Sequence, residues 1–269
     1  IAPVFGGINL EDYKAPECFE IENALQNLGI PVMHDDQHGT AVAVLAGLLN
    51  SLKVVNKKIS EIRIVLSGAG ASATAVVKLI IKRGAISGNI IMCDSKGIIY
   101  KGREDLINNK SKYEISKITN KDKIKGTLKD ALIGTDVLIG LSAKNLVNKE
   151  MIASMNKNAI VFAMANPEPE IMPSDAKEAG AVVIATGRSD FPNQINNALV
   201  FPGIFRGALD IRAKRITDEM KIAAAEAIAD LIKFPTKDKI LPYIYDKEVV
   251  ARVSNAVKDS YKCKALVKN

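Results

Sequence analysis

From residue 61 onward, short apolar runs alternate with stretches of helical spacing, and this alternation governs the reading of the chain. Runs at 62–66, 89–93, 137–139, 159–162 and 181–184 are short and lack a polar face, which suits parallel strands covered on both sides. The intervening stretches 71–82, 128–133, 149–155 and 174–178 read as helices. Strand and helix in this order make βαβ units. The predicted fold class is therefore α/β, a doubly wound parallel sheet of Rossmann type, with flanking helical segments from a second domain. The polar stretch 108–125 reads as a loop or an exposed helix.

Upstream, Pro16 suits a first helical turn because it has no N–H to leave unpaired. A helix is predicted over 16–28, with Phe19, Ile21, Leu25 and Leu28 near helical spacing and Gly29 as its stop. A short strand over 30–33 then delivers His34, Asp35 and Asp36 to its end. The nearly all-apolar helix predicted over 41–52 must be buried on most sides. After Phe201-Pro202-Gly203 the chain reads as helices without strands, over 204–211, 218–232 and 247–261.

Composition narrows the function classes. A chain of 269 residues with 48% hydrophobic content can bury a substantial core. The longest apolar run, 41–49, is far short of the roughly 20 residues of a spanning helix, so no membrane association is expected. The net charge of +7 comes from lysines spread along the chain with few aromatics among them, the pattern of a solvated surface and not of a nucleic-acid partner. Cys18, Cys93 and Cys263 are odd in number and scattered, which suggests neither a disulfide framework nor a zinc site and fits a reducing cytoplasm. The chain opens at Ile1 directly into apolar sequence and reads like the middle of a protein.

Gly68-Ala69-Gly70-Ala71-Ser72-Ala73 sets a G-x-G-x-x-A fingerprint between a predicted strand and a predicted helix. Gly68 allows the tight turn, Gly70 lets the backbone approach a pyrophosphate, and Ala73 permits close packing of helix on strand. The next strand ends at Asp94, where an acidic side chain can accept hydrogen bonds from the adenosine ribose hydroxyls. That favours NAD, although Lys96 could instead meet the 2′-phosphate of NADP. Glu11, Asp12, Asp35 and Asp36 form two adjacent carboxylate pairs at element ends. They are either surface charge and helix caps or hard oxygen donors of the kind Mg²⁺ or Mn²⁺ prefers.

Taken together, Gly6-Gly7-Ile8-Asn9-Leu10-Glu11-Asp12, His34-Asp35-Asp36-Gln37-His38-Gly39-Thr40-Ala41, the glycine loop, Ala165-Asn166-Pro167 and Asn196-Asn197 through Phe201-Pro202-Gly203 resemble successive malic enzyme motifs, in the order of that family. The wording is closest to the smaller bacterial type. The resemblance implies Glu11, Asp12 and Asp36 as metal ligands, with Asp35 in or just behind that shell and the one candidate catalytic residue of this chain. It implies Asn166 and Asn197 as the residues that hold malate and nicotinamide, and it places Ser142 and Ala143, with Gly68, Ala69, Gly70 and Ala71, along the dinucleotide. Residues 1–36 are then the remainder of an N-terminal catalytic and metal domain, 37–212 the dinucleotide-binding domain, and 213–269 helices folding back across the junction.

The implied reaction is oxidation of L-malate at C2 with hydride transfer to NAD or NADP, then loss of CO₂ and protonation to pyruvate, in a homodimer or larger homo-oligomer. The family's proton-transfer lysine and tyrosine lie upstream of the Glu-Asp motif, where this chain has no sequence, so the isolated chain is expected to bind dinucleotide and turn malate over poorly. Two other readings remain: a metal-independent amino-acid or hydroxy-acid dehydrogenase, and a non-catalytic dinucleotide-binding or regulatory module. His34 and His38 could be capping or structural, Asn166 before Pro167 a turn former, and Arg188 with Asp190 a loop-stabilising pair outside the catalytic set.

Overall fold

The computed structural model describes residues 2–266, with side chains as far as Tyr261; Ile1 and the Cys263 side chain lie outside the described residues. Strand β1 (Ile8–Leu10) is followed by helix α1 (Glu17–Leu25) and strand β2 (Val32–His34), which pairs in parallel with β1. Leu10 stands opposite His34, so Glu11-Asp12 and Asp35-Asp36 leave neighbouring strand ends. β1 was not anticipated, since three residues carry no readable alternation. α1 starts after Pro16 and stops at Leu25, short of the predicted end, and Gly29 with φ of 79° lies in the following turn.

Helix α2 (Asp35–Val55) begins directly at the end of β2, not at residue 41. Asp35 and Asp36 occupy its first turn, where carboxylates meet unpaired N–H groups and the positive end of the helix dipole. The helix is long and apolar enough to cross a membrane, but here it is the core helix, with Val42, Ala43, Val44, Leu45, Ala46 and Leu48 all fully buried. Its cover comes from within the chain, so its apolarity calls for no second subunit.

The main sheet follows. Its elements are β3 (Ile64–Ser67), α3 (Ala71–Arg83), β4 (Ile90–Asp94), β5 (Gly97–Ile98), α4 (Lys110–Ile118), α5 (Leu128–Leu132), β6 (Val137–Gly140), α6 (Lys149–Ala153), β7 (Ala159–Ala163), α7 (Pro173–Glu178) and β8 (Ala181–Thr186). Helices α8 (Phe201–Asp210), α9 (Asp218–Asp230) and α10 (Lys247–Leu266) complete the chain. The strand order is β5-β4-β3-β6-β7-β8, parallel throughout except for β5 against β4. All five predicted strands are present, and the antiparallel edge β5 is an addition of two residues.

The sheet is doubly wound. Ile64 and Leu66 point into one buried cluster with α2, α3 and the C-terminal helices, while Val65, Leu138 and Val161 join a second cluster beneath α5, α6 and α7. α9 packs on α2, and α10 on α8 and α9. Asn50 of α2 locks this arrangement by donating to the carbonyls of Ala229 at 2.8 Å and Ile240 at 2.9 Å. Strand order reverses between β3 and β6, and in such sheets the crevice beyond the strand ends at that point is where ligands bind.

Candidate functional site

A cavity of about 960 Å³ opens at this crossover, lined by Ser67, Gly68, Ala69, Gly70, Asp94, Lys96, Lys112, Ser142 and Ala143. Its floor is the turn from β3 into α3. Gly68 has φ of 119°, and a Cβ there would stand 2.5 Å from the Leu141 carbonyl oxygen, so only glycine fits. Gly70 caps α3, and a Cβ on it would meet no atom within 4 Å, which leaves the backbone open to a phosphate at the helix N-terminus. Ser67 and Ser142 join the β3 and β6 ends through their hydroxyls, 2.8 Å apart.

Asp94 ends β4 as expected, but its carboxylate is committed. Arg103 reaches it with two nitrogens, Nη1 at 3.0 Å and Nη2 at 2.5 Å, and Lys112 Nζ lies at 2.8 Å. Burial alone would raise its pKa; these cations outweigh that and hold it down at about 2. The carboxylate is therefore a buried anion wrapped in positive charge, not a free acceptor for ribose hydroxyls. Lys112 arrives on α4, inside the stretch read as a loop or an exposed helix, and Arg103 on a loop after β5. No local pattern marks either.

The acidic residues gather at the joint between β1, β2 and α2. The Asp12 N–H donates to Asp36 Oδ2 at 2.9 Å, and Asn197 Nδ2 donates to Asp35 Oδ2 at 2.8 Å. Asp35 is buried, and among the described residues its Oδ1 has no hydrogen-bond partner. Burial first, and then the charges of Glu11 and Asp36, push its pKa up to about 7. Ser72, in the first turn of α3, donates to the Asp36 carbonyl at 2.7 Å and so joins this cluster to the glycine loop. Glu11 and Asp12 are exposed, and among the described residues no three His, Cys, Asp or Glu side chains are grouped closely enough to hold an ion. The donors are hard oxygens with one buried acceptor orphaned, a chemistry that fits Mg²⁺ or Mn²⁺, without a preassembled cage.

Asn197 thus meets the acidic cluster, whereas Asn166 is exposed on the loop after β7, beside Gly187. His34 is fully buried, and among the described residues neither ring nitrogen has a hydrogen-bond partner, although Nε2 lies 3.9 Å from Asp36 Oδ2. His38 ties three helices together, with Nε2 3.1 Å from Glu22 of α1 and Nδ1 3.0 Å from Lys221 of α9. Arg188 pairs with Asp190 and also donates to the Pro167 carbonyl at 3.0 Å.

Known proteins are similar to this chain in sequence and in fold. Residues 37–261 match the family model described as malic enzyme, NAD binding domain. The chain is 54% identical to a bifunctional malic/malolactic enzyme of Bacillus subtilis over 96% of its own length and 63% of the relative's. It is 52% identical to an NAD-dependent malic enzyme of Geobacillus stearothermophilus, over 96% and 53% of the two lengths. An NADP-dependent malic enzyme of Halomonas elongata shares 51%, over 93% and 58%. The solved malic enzyme of Pyrococcus horikoshii superposes with a TM-score of 0.95 at 46% identity, covering 98% of this chain and 63% of that one. The chain therefore spans between about half and two-thirds of the length of these four relatives. With its glycine loop at the sheet crossover and its match over residues 37–261, the chain belongs to the malic enzymes and carries their NAD-binding domain.

Proposed function

We propose that this chain serves the oxidative decarboxylation of L-malate to pyruvate and CO₂, with reduction of NAD or NADP and dependence on a divalent cation. The observation that carries this reading is the Ser72–Asp36 hydrogen bond, which sets the acidic cluster against the phosphate-binding loop. A hydride donor held at one can thus lie close to an acceptor held at the other. Glu11, Asp12 and Asp36 are the residues that would hold Mg²⁺ or Mn²⁺, with Asp35 behind them. A cation held there would supply Lewis acidity that opposes the negative charge developing on the substrate during decarboxylation.

The chain's own residues divide the remaining work. Asn197 fixes the orientation of Asp35, and together with Asn166 it offers amide groups to the malate carboxylates and the nicotinamide. Asp35 can hold or release a proton near neutrality. Gly68, Ala69, Gly70 and Ala71 seat the pyrophosphate, and Ser142 and Ala143 flank the dinucleotide. Cofactor choice rests on Asp94. With its charge met by Arg103 and Lys112, and Lys96 on the same cavity wall, the ribose end repels a 2′-phosphate far less than a bare carboxylate would. This supports NADP being accepted beside NAD.

The test is malate-dependent reduction of NAD and NADP. It uses the chain alone and the chain fused to the part of a malic enzyme relative that it does not span, with Mg²⁺, Mn²⁺ or EDTA. Turnover by the fusion with both dinucleotides, abolished by EDTA and by Asp36→Asn, is the expected result. Undiminished turnover in EDTA would overturn the metal role, and strict NAD use would overturn the reading of Asp94.

A further inference from the structure

Glu170 is fully buried, although no part of the chemistry above uses it. Its carboxylate sits between two loops that leave neighbouring strands at the cavity end of the sheet. Oε1 accepts the Ser142 N–H at 3.0 Å, on the loop after β6, and Oε2 accepts the Ala165 N–H at 3.0 Å, on the loop after β7. The same segment is laced further by its main chain, with the Glu170 carbonyl accepting from Val147 N at 3.0 Å and the Pro169 carbonyl from Asn145 N at 3.2 Å. Space for the carboxylate is made by Gly140, where a Cβ would stand 2.3 Å from Glu170 Cδ.

Among the described residues no cation pairs with Glu170, and a buried carboxylate so placed is an expensive way to join two loops if stability is all that is gained. Burial pushes the Glu170 pKa up, against the pull of the N–H groups of Ala165 and Ser142. What the arrangement secures is geometric. One rigid group binds two N–H donors, each next to or at a residue placed at the dinucleotide: Ser142 itself with Ala143 beyond it, and Asn166 directly after Ala165. The Ser142 side chain in turn meets Ser67 at the glycine loop.

We propose that Glu170 is a positioning residue that fixes the loops after β6 and β7 to each other and so sets the seat of the nicotinamide half of the cofactor. It touches neither cofactor nor substrate, and it acts through Ser142 and Asn166. The assignment rests on the reading that those two loops flank the nicotinamide. The adenosine half is held by the turn at Gly68 and the α3 N-terminus, which Glu170 meets only indirectly, through the Ser142–Ser67 hydroxyl contact.

The experiment compares two probes, NADH and ADP, on the same chain. Wild type must bind both; failure to bind either would count against the dinucleotide seat itself and not against Glu170. Glu170→Gln keeps the shape but turns one acceptor into a donor facing an N–H. Its NADH affinity should fall about tenfold or more, the cost of one lost charged hydrogen bond, while ADP affinity stays within about twofold. Gly140→Ala, which pushes a methyl into the carboxylate from the opposite side, should give the same split. Glu170→Asp, which retains both acceptors on a shorter arm, should recover part of the NADH affinity. A general loss of structure would weaken both probes, so an equal loss for NADH and ADP in Glu170→Gln, or no loss for either, overturns the proposal.

Discussion

Asp35→Asn should make the protein more stable above neutral pH while removing a group from the acidic cluster. Asp35 is 4% exposed, and its pKa is lifted from the usual 3.8 to about 7 by burial and by the charges of Glu11 and Asp36. Between those values the folded state holds a proton that the unfolded state has released, so stability falls as pH rises from about 4 to about 7 and levels off above. The step corresponds to roughly 4 kcal/mol for the ionised form, an upper bound because water entry and relaxation soften it. Asparagine keeps an oxygen to accept from Asn197 at Oδ2 and puts a donor where Oδ1 now has no partner. It also removes one of several like charges. Urea unfolding in EDTA at about pH 5.5 and about pH 8.5 reads the difference directly, with the mutant gaining about 4 kcal/mol over wild type at the higher pH and about 2 kcal/mol at the lower. Mg²⁺ or Mn²⁺ should stabilise wild type at the higher pH and stabilise the mutant, which keeps Glu11, Asp12 and Asp36, by less. A mutant that is less stable than wild type at pH 8.5, or equally displaced at both pH values, would refute the reasoning.

Two further substitutions test the frame around the site. Gly68→Ala places a Cβ 2.5 Å from the Leu141 carbonyl oxygen at φ of 119°; it should cost about 1–3 kcal/mol of stability and weaken NADH and ADP alike, as read by fluorescence titration. Equal loss of both probes here, against the split expected at Glu170, separates the turn from the brace. Asn50→Ala removes the donor shared by the Ala229 and Ile240 carbonyls inside the core; the midpoint of urea unfolding should drop by the equivalent of about 2–4 kcal/mol, with dinucleotide affinity unchanged in the folded protein.

How far the sequence carries depends on the distance over which each feature is built. The five parallel strands are legible because Val, Ile and Leu runs buried on both faces leave a continuous apolar signature, and Gly68 and Gly70 are legible because their roles are local to one turn. The start of α2 was misplaced because Asp35, Asp36 and His38 look polar enough for a loop. In the fold, the first two are stabilised by the helix N-terminus and the third by Glu22 and Lys221, from other helices. Asp94 was visible as a strand-end acid, but its partners were not, since Arg103 and Lys112 lie 9 and 18 residues on, with nothing in their neighbourhoods to mark them. Glu170 was hidden for the same reason. A buried glutamate in Asn166-Pro167-Glu168-Pro169-Glu170 looks no different from the exposed one two positions earlier.

Asp36 connects the two halves of the site in a way that neither motif shows alone. Its side chain takes the Asp12 N–H across the strand pair, and its carbonyl takes the Ser72 hydroxyl from the first turn of α3. Any shift of Asp36 toward a cation therefore pulls on the first turn of α3, and any shift of α3 toward a pyrophosphate pulls on Asp36. Coupling of this kind is reciprocal: a cation that tightens dinucleotide binding must itself be bound more tightly when dinucleotide is present. Asp35 Oδ1, without a hydrogen-bond partner among the described residues, and its repulsion from Glu11 and Asp36 would give such coupling a source of free energy, since a cation bound there would relieve both. The acidic cluster is held in place by folding at some cost in stability, as expected of a surface shaped for binding more than for packing.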